Sequence, residues 1–232
     1  MSTSGTTTFL MNRDSLIAAS LRLVQAFGAD ATIPSDDTAN CAQALNVIAK
    51  ALAIEGLPLW CVQTLSVPLL TGVAIYDISA AAGSTLPLRI LEAFVRDASG
   101  NDSPVELTSR SDYNLLGSKT STGAPNQAYY NPLLTGGTLT VYPVPADSTY
   151  SLQLSIQRQI QDFNLAVDNP DFPQEAYQLL KWCLADEIML EYETPLDVRQ
   201  EINAKANGYK DKLFNFSQEA VSTFFAPTGK WG

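Results

Sequence analysis

The sequence contains no histidine. That absence removes Ser-His-Asp and Cys-His machinery, histidine-containing zinc sites and the usual general base near neutral pH. Cysteine is nearly as scarce. Cys41, Cys61 and Cys183 are odd in number, far apart and without Cys-x-x-Cys spacing. A disulfide framework and a metal knuckle are thereby excluded, and the three read as small core residues in a reduced compartment. Basic charge is short too: fourteen Lys and Arg stand against twenty-four Asp and Glu, a net charge of −10. The chain cannot build the Lys/Arg surface that grips duplex DNA by neutralising phosphates. Apolar runs are interrupted by Pro, Gly or Ser before they could cross a bilayer, and the opening MSTSGTTTF has no basic or apolar signal region. The expectation is a chain with no membrane partner, cytosolic when made, for which Asn101-Asp102-Ser103 and Asn215-Phe216-Ser217 are chance matches to the glycosylation pattern.

What is present is 46% hydrophobic residues with only 16% charged, in 232 residues. That suffices for a real core in one elaborated domain or two small ones, and it leaves little charge for a surface that is all solvated. Some of that surface is expected to face other subunits.

Three textures succeed one another. Over residues 14–27, Ile17, Leu21 and Val24 fall at helical spacing, with Asp14 near the start and Gly28 just after the end. Ser35 suits an N-cap, Asp36 and Asp37 suit the positive end of the dipole, and Leu45, Ile48, Ala49 and Leu52 form a buried stripe before Gly56. From Leu57 to Asp168, Pro, Gly, Ser and Thr punctuate short segments such as Val73 to Ile78, Leu88 to Val95 and Gly137 to Tyr142. Tyr150, Leu152, Leu154 and Ile156 alternate with Ser151, Gln153, Ser155 and Gln157, the period of a half-buried antiparallel strand. Gly136-Gly137 and Pro143 to Ser148 are turn signals, and Ser111 to Leu116 can make one helical turn. The last third is helical: Ala176, Leu180, Cys183, Leu184 and Ile188 after Pro173, then a one-sided stripe Val198, Ile202, Ala206, Tyr209, Leu213, Phe216, Ala220 and Phe224.

The expected fold class is α+β. Residues 1–60 and 171–224 form a bundle of N- and C-terminal helices, the final stripe packing on the first two helices. An antiparallel β-domain, sandwich or open barrel, is inserted at 61–170. Residues 225–232 are an extended tail.

No motif in the sequence carries a recognisable chemistry. Gly117-Ser118-Lys119-Thr120 has Ser118 and Tyr113 where a phosphate-binding loop needs glycines, and no helix follows it. Glu187 and Glu191 are placed on one helix face, whereas a glycosidase pair spans a cleft. No calcium-loop pattern appears, and Arg13, Arg22, Arg89, Arg96, Arg110 and Arg158 are scattered without interleaved aromatics. Trp60 and Tyr129-Tyr130 fit core or sheet-face positions equally. No catalytic residue, cofactor site or metal site is assigned.

The order of segments carries more. The stretch SRSDYNLLGSKTSTGAPNQAYY at 109–130, then GGTLTVYPVPADSTYSLQLSIQRQ at 136–159, then DFPQEAYQLLKWCLADEIMLEY at 171–192, resembles the head-to-tail adaptor proteins of short-tailed phages. These are also called head-completion, tail tubular A or packaged-DNA-stabilising proteins. The matching features are the Ser-x-x-Asp-Tyr turn Ser109 to Tyr113, Gly123-Ala124-Pro125, and Pro143-Val144-Pro145, across residues 13–220. The resemblance implies a virion protein and not an enzyme. It implies a homo-oligomeric ring, a dodecamer, under the portal protein, offering a platform to the tail nozzle protein while double-stranded DNA passes through without sequence-specific contact. Such adaptors use terminal extensions to grip the portal, which makes Phe224, Phe225 and Trp231 the candidate portal-binding residues. An acidic lining would let DNA slide. A cytosolic binding module of similar architecture, or an adaptor that also cleaves peptidoglycan, remains open at this point.

Overall fold

The structure is a computed structural model that describes residues 3–28, 30–55, 58–78, 86–134 and 136–216. Helices at both ends enclose a sheet built from the middle of the chain, as expected of the α+β class with an inserted β-domain. The helices are α1 (Arg13–Leu23), α2 (Ser35–Glu55), the short α3 (Arg110–Leu115), α4 (Tyr177–Ile188) and α5 (Leu196–Phe216). The strands are β1 (Val62–Pro68), β2 (Ile75–Asp77), β3 (Pro87–Arg96), β4 (Asp102–Leu107), β5 (Thr122–Gly123), β6 (Gln127–Pro132), β7 (Gly137–Tyr142), β8 (Val144–Pro145) and β9 (Ser151–Arg158).

The first helix starts where Asn12 accepts a hydrogen bond from the Ser15 N–H at 2.9 Å. It ends five residues before Gly28, because Gln25 adopts the left-handed conformation, φ 62°, normally left to glycine. Ala26 N–H then reaches Leu21 O at 3.1 Å and Gln25 N–H reaches Arg22 O at 3.2 Å, closing the last turn. In α2 the first bond runs from Thr38 N–H to the Pro34 carbonyl at 3.1 Å, so the capping position is Pro34 and Ser35 is already helical.

The bundle is centred on α4, against which α1, α2 and α5 each pack. Ile202 and Ala206 of α5 are buried there, with Val198, Tyr209 and Leu213 half-buried. The stripe on the last helix thus meets the bundle chiefly through α4 and not through the first two helices. Ala206, wholly buried, is small enough for α5 to lie close. The rest of that stripe, Ala220 and Phe224, lies outside the described residues. Ser20 ties the helices together, its hydroxyl lying 2.9 Å from both Leu16 O and Lys181 O.

The sheet has seven strands in the order β1-β9-β3-β4-β6-β7-β2 and is curled like half a barrel. Its pairs are antiparallel except β4 with β6, which run parallel through Glu106–Gln127 and Leu107–Ala128. The reason is covalent. A parallel neighbour needs a crossover, and residues 108–126, containing α3 and β5, supply it. The strand at 151–158 is also more buried than its alternation suggests, for Gln153 is 8% and Gln157 0% exposed. One face of β9 meets the sheet's own apolar cluster, while Gln157 turns to the end of α2 and donates to Ala53 O at 3.1 Å.

Two apolar clusters result, one within the sheet and one within the helices. The segment after β9 belongs to the second: Ile160, Phe163 and Phe172 are buried among the helices. It is tied there by side chains of α2. Asn46 exchanges two hydrogen bonds with the backbone of Phe163, at 3.1 and 2.8 Å, and Lys50 donates to Ile160 O.

Candidate functional site

Of the three motif segments singled out from the sequence, two meet in space and the third caps the short helix α3. Ser109 and Asp112 form a reciprocal cap at the start of α3: Asp112 N–H donates to Ser109 Oγ at 3.1 Å, and Ser109 N–H donates to Asp112 Oδ2 at 3.4 Å. Gly123-Ala124-Pro125 and Pro143-Val144-Pro145 lie side by side as the β5–β8 ladder, joined by Val144 N–H to Ser121 O at 2.9 Å and Ala146 N–H to Gly123 O at 3.2 Å. These residues position backbone, and none of them carries chemistry.

Above this frame stands a row of cations and rings. Tyr113 of α3 stacks on Tyr129 of β6, centroids 6.0 Å apart and planes 20° from parallel. Lys119 Nζ sits 5.5 Å from the Tyr113 ring, and the Arg110 guanidinium 5.7 Å from the Tyr129 ring. Arg110 donates to Tyr129 Oη at 2.6 Å and also to Asn131 Oδ1. The expectation that aromatics and basic residues do not interleave is overturned here, because the partners come from different elements. Lys119 also donates to Asn114 O at 3.1 Å, at the end of α3. It serves the carbonyl end of a helix, the reverse of what a phosphate loop requires. Tyr130, next in sequence, faces the other way, packs against the sheet cluster and donates to Pro87 O at 2.8 Å.

The helical end offers a groove of about 210 Å³, lined by Pro173, Ala176 and Leu179 on one side and Tyr209, Leu213 and Phe216 on the other, with Glu175 and Lys212 among its lining. It is where the stripe of α5 runs out of bundle to pack against, and Phe216 is 64% exposed. The candidate portal-binding residues Phe224, Phe225 and Trp231 lie outside the described residues.

The other singled-out residues have structural places. Trp60 donates to Asp171 O at 3.1 Å and leans on Phe172, centroids 5.7 Å apart. Asp171 receives Arg158 through both guanidinium nitrogens and the Gln161 N–H at 3.1 Å. Burial pushes the Asp171 carboxyl up, but the Arg158 and Gln161 hydrogen bonds outweigh it and hold the group below its ordinary range. All three cysteines are buried and free. Burial raises the thiol of Cys61 to about 11 and of Cys183 to about 12, and raises that of Cys41. Glu187 lies on α4 while Glu191 lies in the turn beyond its end, so the two do not share a helix face. Among the described residues no cluster of potential ligands could hold a metal ion, and no helix is long and apolar enough to cross a membrane.

A frame of caps and paired turns spread along the whole chain identifies a protein by its ordered architecture, and at that level there is a match: the family model of the SU10 adaptor protein fits residues 11–223. The chain belongs to the SU10 adaptor family. It is a phage head–tail adaptor, a component of the virion where head meets tail. Among curated proteins, none matches it. The adaptor's motif residues are then the scaffold of its sheet, and its exposed features are the apolar groove at the end of α5 and the cation–ring row on α3 and β6. Sequence reading missed both. The groove needs two helices to be brought together, and the row joins residues as much as twenty-one positions apart.

Proposed function

We propose that this adaptor belongs to a short-tailed phage and forms a ring of twelve copies beneath the portal, where it retains packaged DNA and presents the platform for the tail nozzle. The observation that carries the reading is the family match over residues 11–223. A net charge of −10 supports it, since an acidic ring repels the DNA that must slide through it. The role is structural, without peptidoglycan cleavage: the chain has no histidine, and its candidate carboxylate pair is split between a helix and a turn.

The portal contact is assigned to the C-terminal tail, with Phe224, Phe225 and Trp231 as aromatic anchors. Native mass spectrometry of the protein alone, and mixed with the portal ring encoded by the same genome, tests the reading. Addition of a ring-matched number of copies is expected. An intact portal ring that takes up none would overturn it.

A further inference from the structure

The cation–ring row has no acidic partner among the described residues of its own chain. Arg110 and Lys119 are exposed, and neither has a carboxylate within ion-pair distance among the described residues, in a protein with ten more acids than bases. Their positions are fixed by Tyr129, Asn131, Tyr113 and the end of α3, so little side-chain entropy remains to be lost on binding. Leu133 directly follows β6 at the turn into β7, next to the strand that carries Tyr129 and Asn131. It is 49% exposed, and Leu134 at the tip is 97% exposed. The surface is basic at one end and apolar at the other.

The complementary surface is on the same molecule, at the corner between α4 and α5. Leu190 and Leu196 there are 65% and 71% exposed, flanked by exposed Glu191, Glu193 and Asp197. None of these carboxylates takes part in an ion pair among the described residues. The corner lies between α4 and α5 and the row on α3, the loop after it and β6, and no ion pair joins the two among the described residues. We infer that the occupant of the row is the α4–α5 corner of a second copy, with Arg110 and Lys119 against Glu191 and Asp197 and the two leucine pairs between them. A contact between two different patches of identical chains is head-to-tail and closes into a ring when its rotation allows. The inference supplies the lateral interface of the ring proposed above and rests on that reading.

Charge reversal distinguishes the possibilities. R110E/K119E places acid against acid and E191K/D197K places base against base, so each alone loses lateral contact, a weakening of about tenfold or more. In a mixture each variant's reversed patch meets the other's complement, and rings refill with the two variants alternating. Native mass spectrometry with the portal ring reads this out as copies bound and as a 1:1 composition. Either variant filling the ring alone, or a mixture that does not recover, overturns the interface while leaving the adaptor reading standing. If even the native protein fails to add to the portal, the adaptor reading falls. The interface is then judged without the portal, by oxidising L134C/L196C: a ladder of disulfide-linked multimers supports it, and its absence rejects it. Unchanged circular dichroism and melting temperature in each variant exclude misfolding as the cause.

Discussion

Gln157, wholly buried on β9, donates its side-chain amide to the carbonyl oxygen of Ala53, 3.1 Å away in the last turn of α2. That carbonyl is one of the four at a helix end that have no partner within the helix. A strand side chain therefore closes a helix, and sheet and bundle are joined by a bond that neither could make alone. The same amide accepts from Arg89 Nε. Gln157→Leu is expected to leave the Ala53 carbonyl buried without a partner and to cost about 1–3 kcal/mol in urea unfolding, whereas Gln157→Glu supplies no donor and gives no rescue.

Asp171 sets an acid limit. Its carboxyl is held below the ordinary carboxylate value in the folded chain, so its contribution is fully present above the unfolded-state value and is lost as pH falls through the folded one. Stability measured from pH 6 down to pH 2 is expected to fall in that window. In Asp171→Asn the fall is shallower and stability at pH 7 is lower by about 2 kcal/mol, between the costs of breaking exposed and buried ion pairs. An unchanged slope would count against the assignment.

Gln25 occupies a glycine's place at the end of α1, at φ 62° and exposed to solvent. Gln25→Gly is expected to stabilise the protein by about 1 kcal/mol, since the left-handed conformation costs a side chain about that much. The gain is to be read as a rise in melting temperature.

The buried thiols predict chemical silence. With Cys61 and Cys183 raised to about 11 and 12 and Cys41 raised as well, the native protein at pH 8 is expected to react with none of its thiols on the minute scale. In guanidinium all three titrate. A fast-reacting thiol in the native state would contradict the burial.

Removal of residues 224–232 is expected to leave the circular dichroism spectrum and melting temperature unchanged and to abolish binding to the portal ring. Unchanged binding would take the portal contact away from Phe224, Phe225 and Trp231.

Much of this was legible in the sequence wherever local pattern and tertiary placement agree. The stripe Leu45, Ile48, Ala49 and Leu52 is buried as its spacing demands, and the turn at Ser111 to Leu116 is α3. Legibility fails where a residue is used against its type. Gln25 ends a helix that Gly28 was expected to end, and Gln157 looks like the polar half of an alternating strand yet is buried to satisfy Ala53. Strands β1, β4 and β6 give a weak pattern because each has only two inward apolar residues, Leu65 and Val67, Val105 and Leu107, Ala128 and Tyr130, and they form by pairing with better-patterned neighbours. The parallel β4–β6 pair has no local signature at all. The cation–ring row was invisible for the same reason: its members come from α3, the loop after it and β6, and no window of sequence contains the packing that unites them.

The parallel pair also makes the sheet an uneven material. Along β3–β9 the register spans Pro87 to Arg96, so load pulling those strands apart is shared along their length. Across β4–β6 the ladder is only Glu106–Gln127 and Leu107–Ala128, a short seam between two stiffer halves. Tyr130 braces it from β6 to β3 through its bond to Pro87 O, and its ring fits because Gly137 has no side chain: a Cβ there would come within 2.7 Å of the ring. Compliance is thus concentrated in one line through the sheet. A pull across the sheet therefore meets its shortest ladder at β4–β6, where the Tyr130 phenol reaches over to β3.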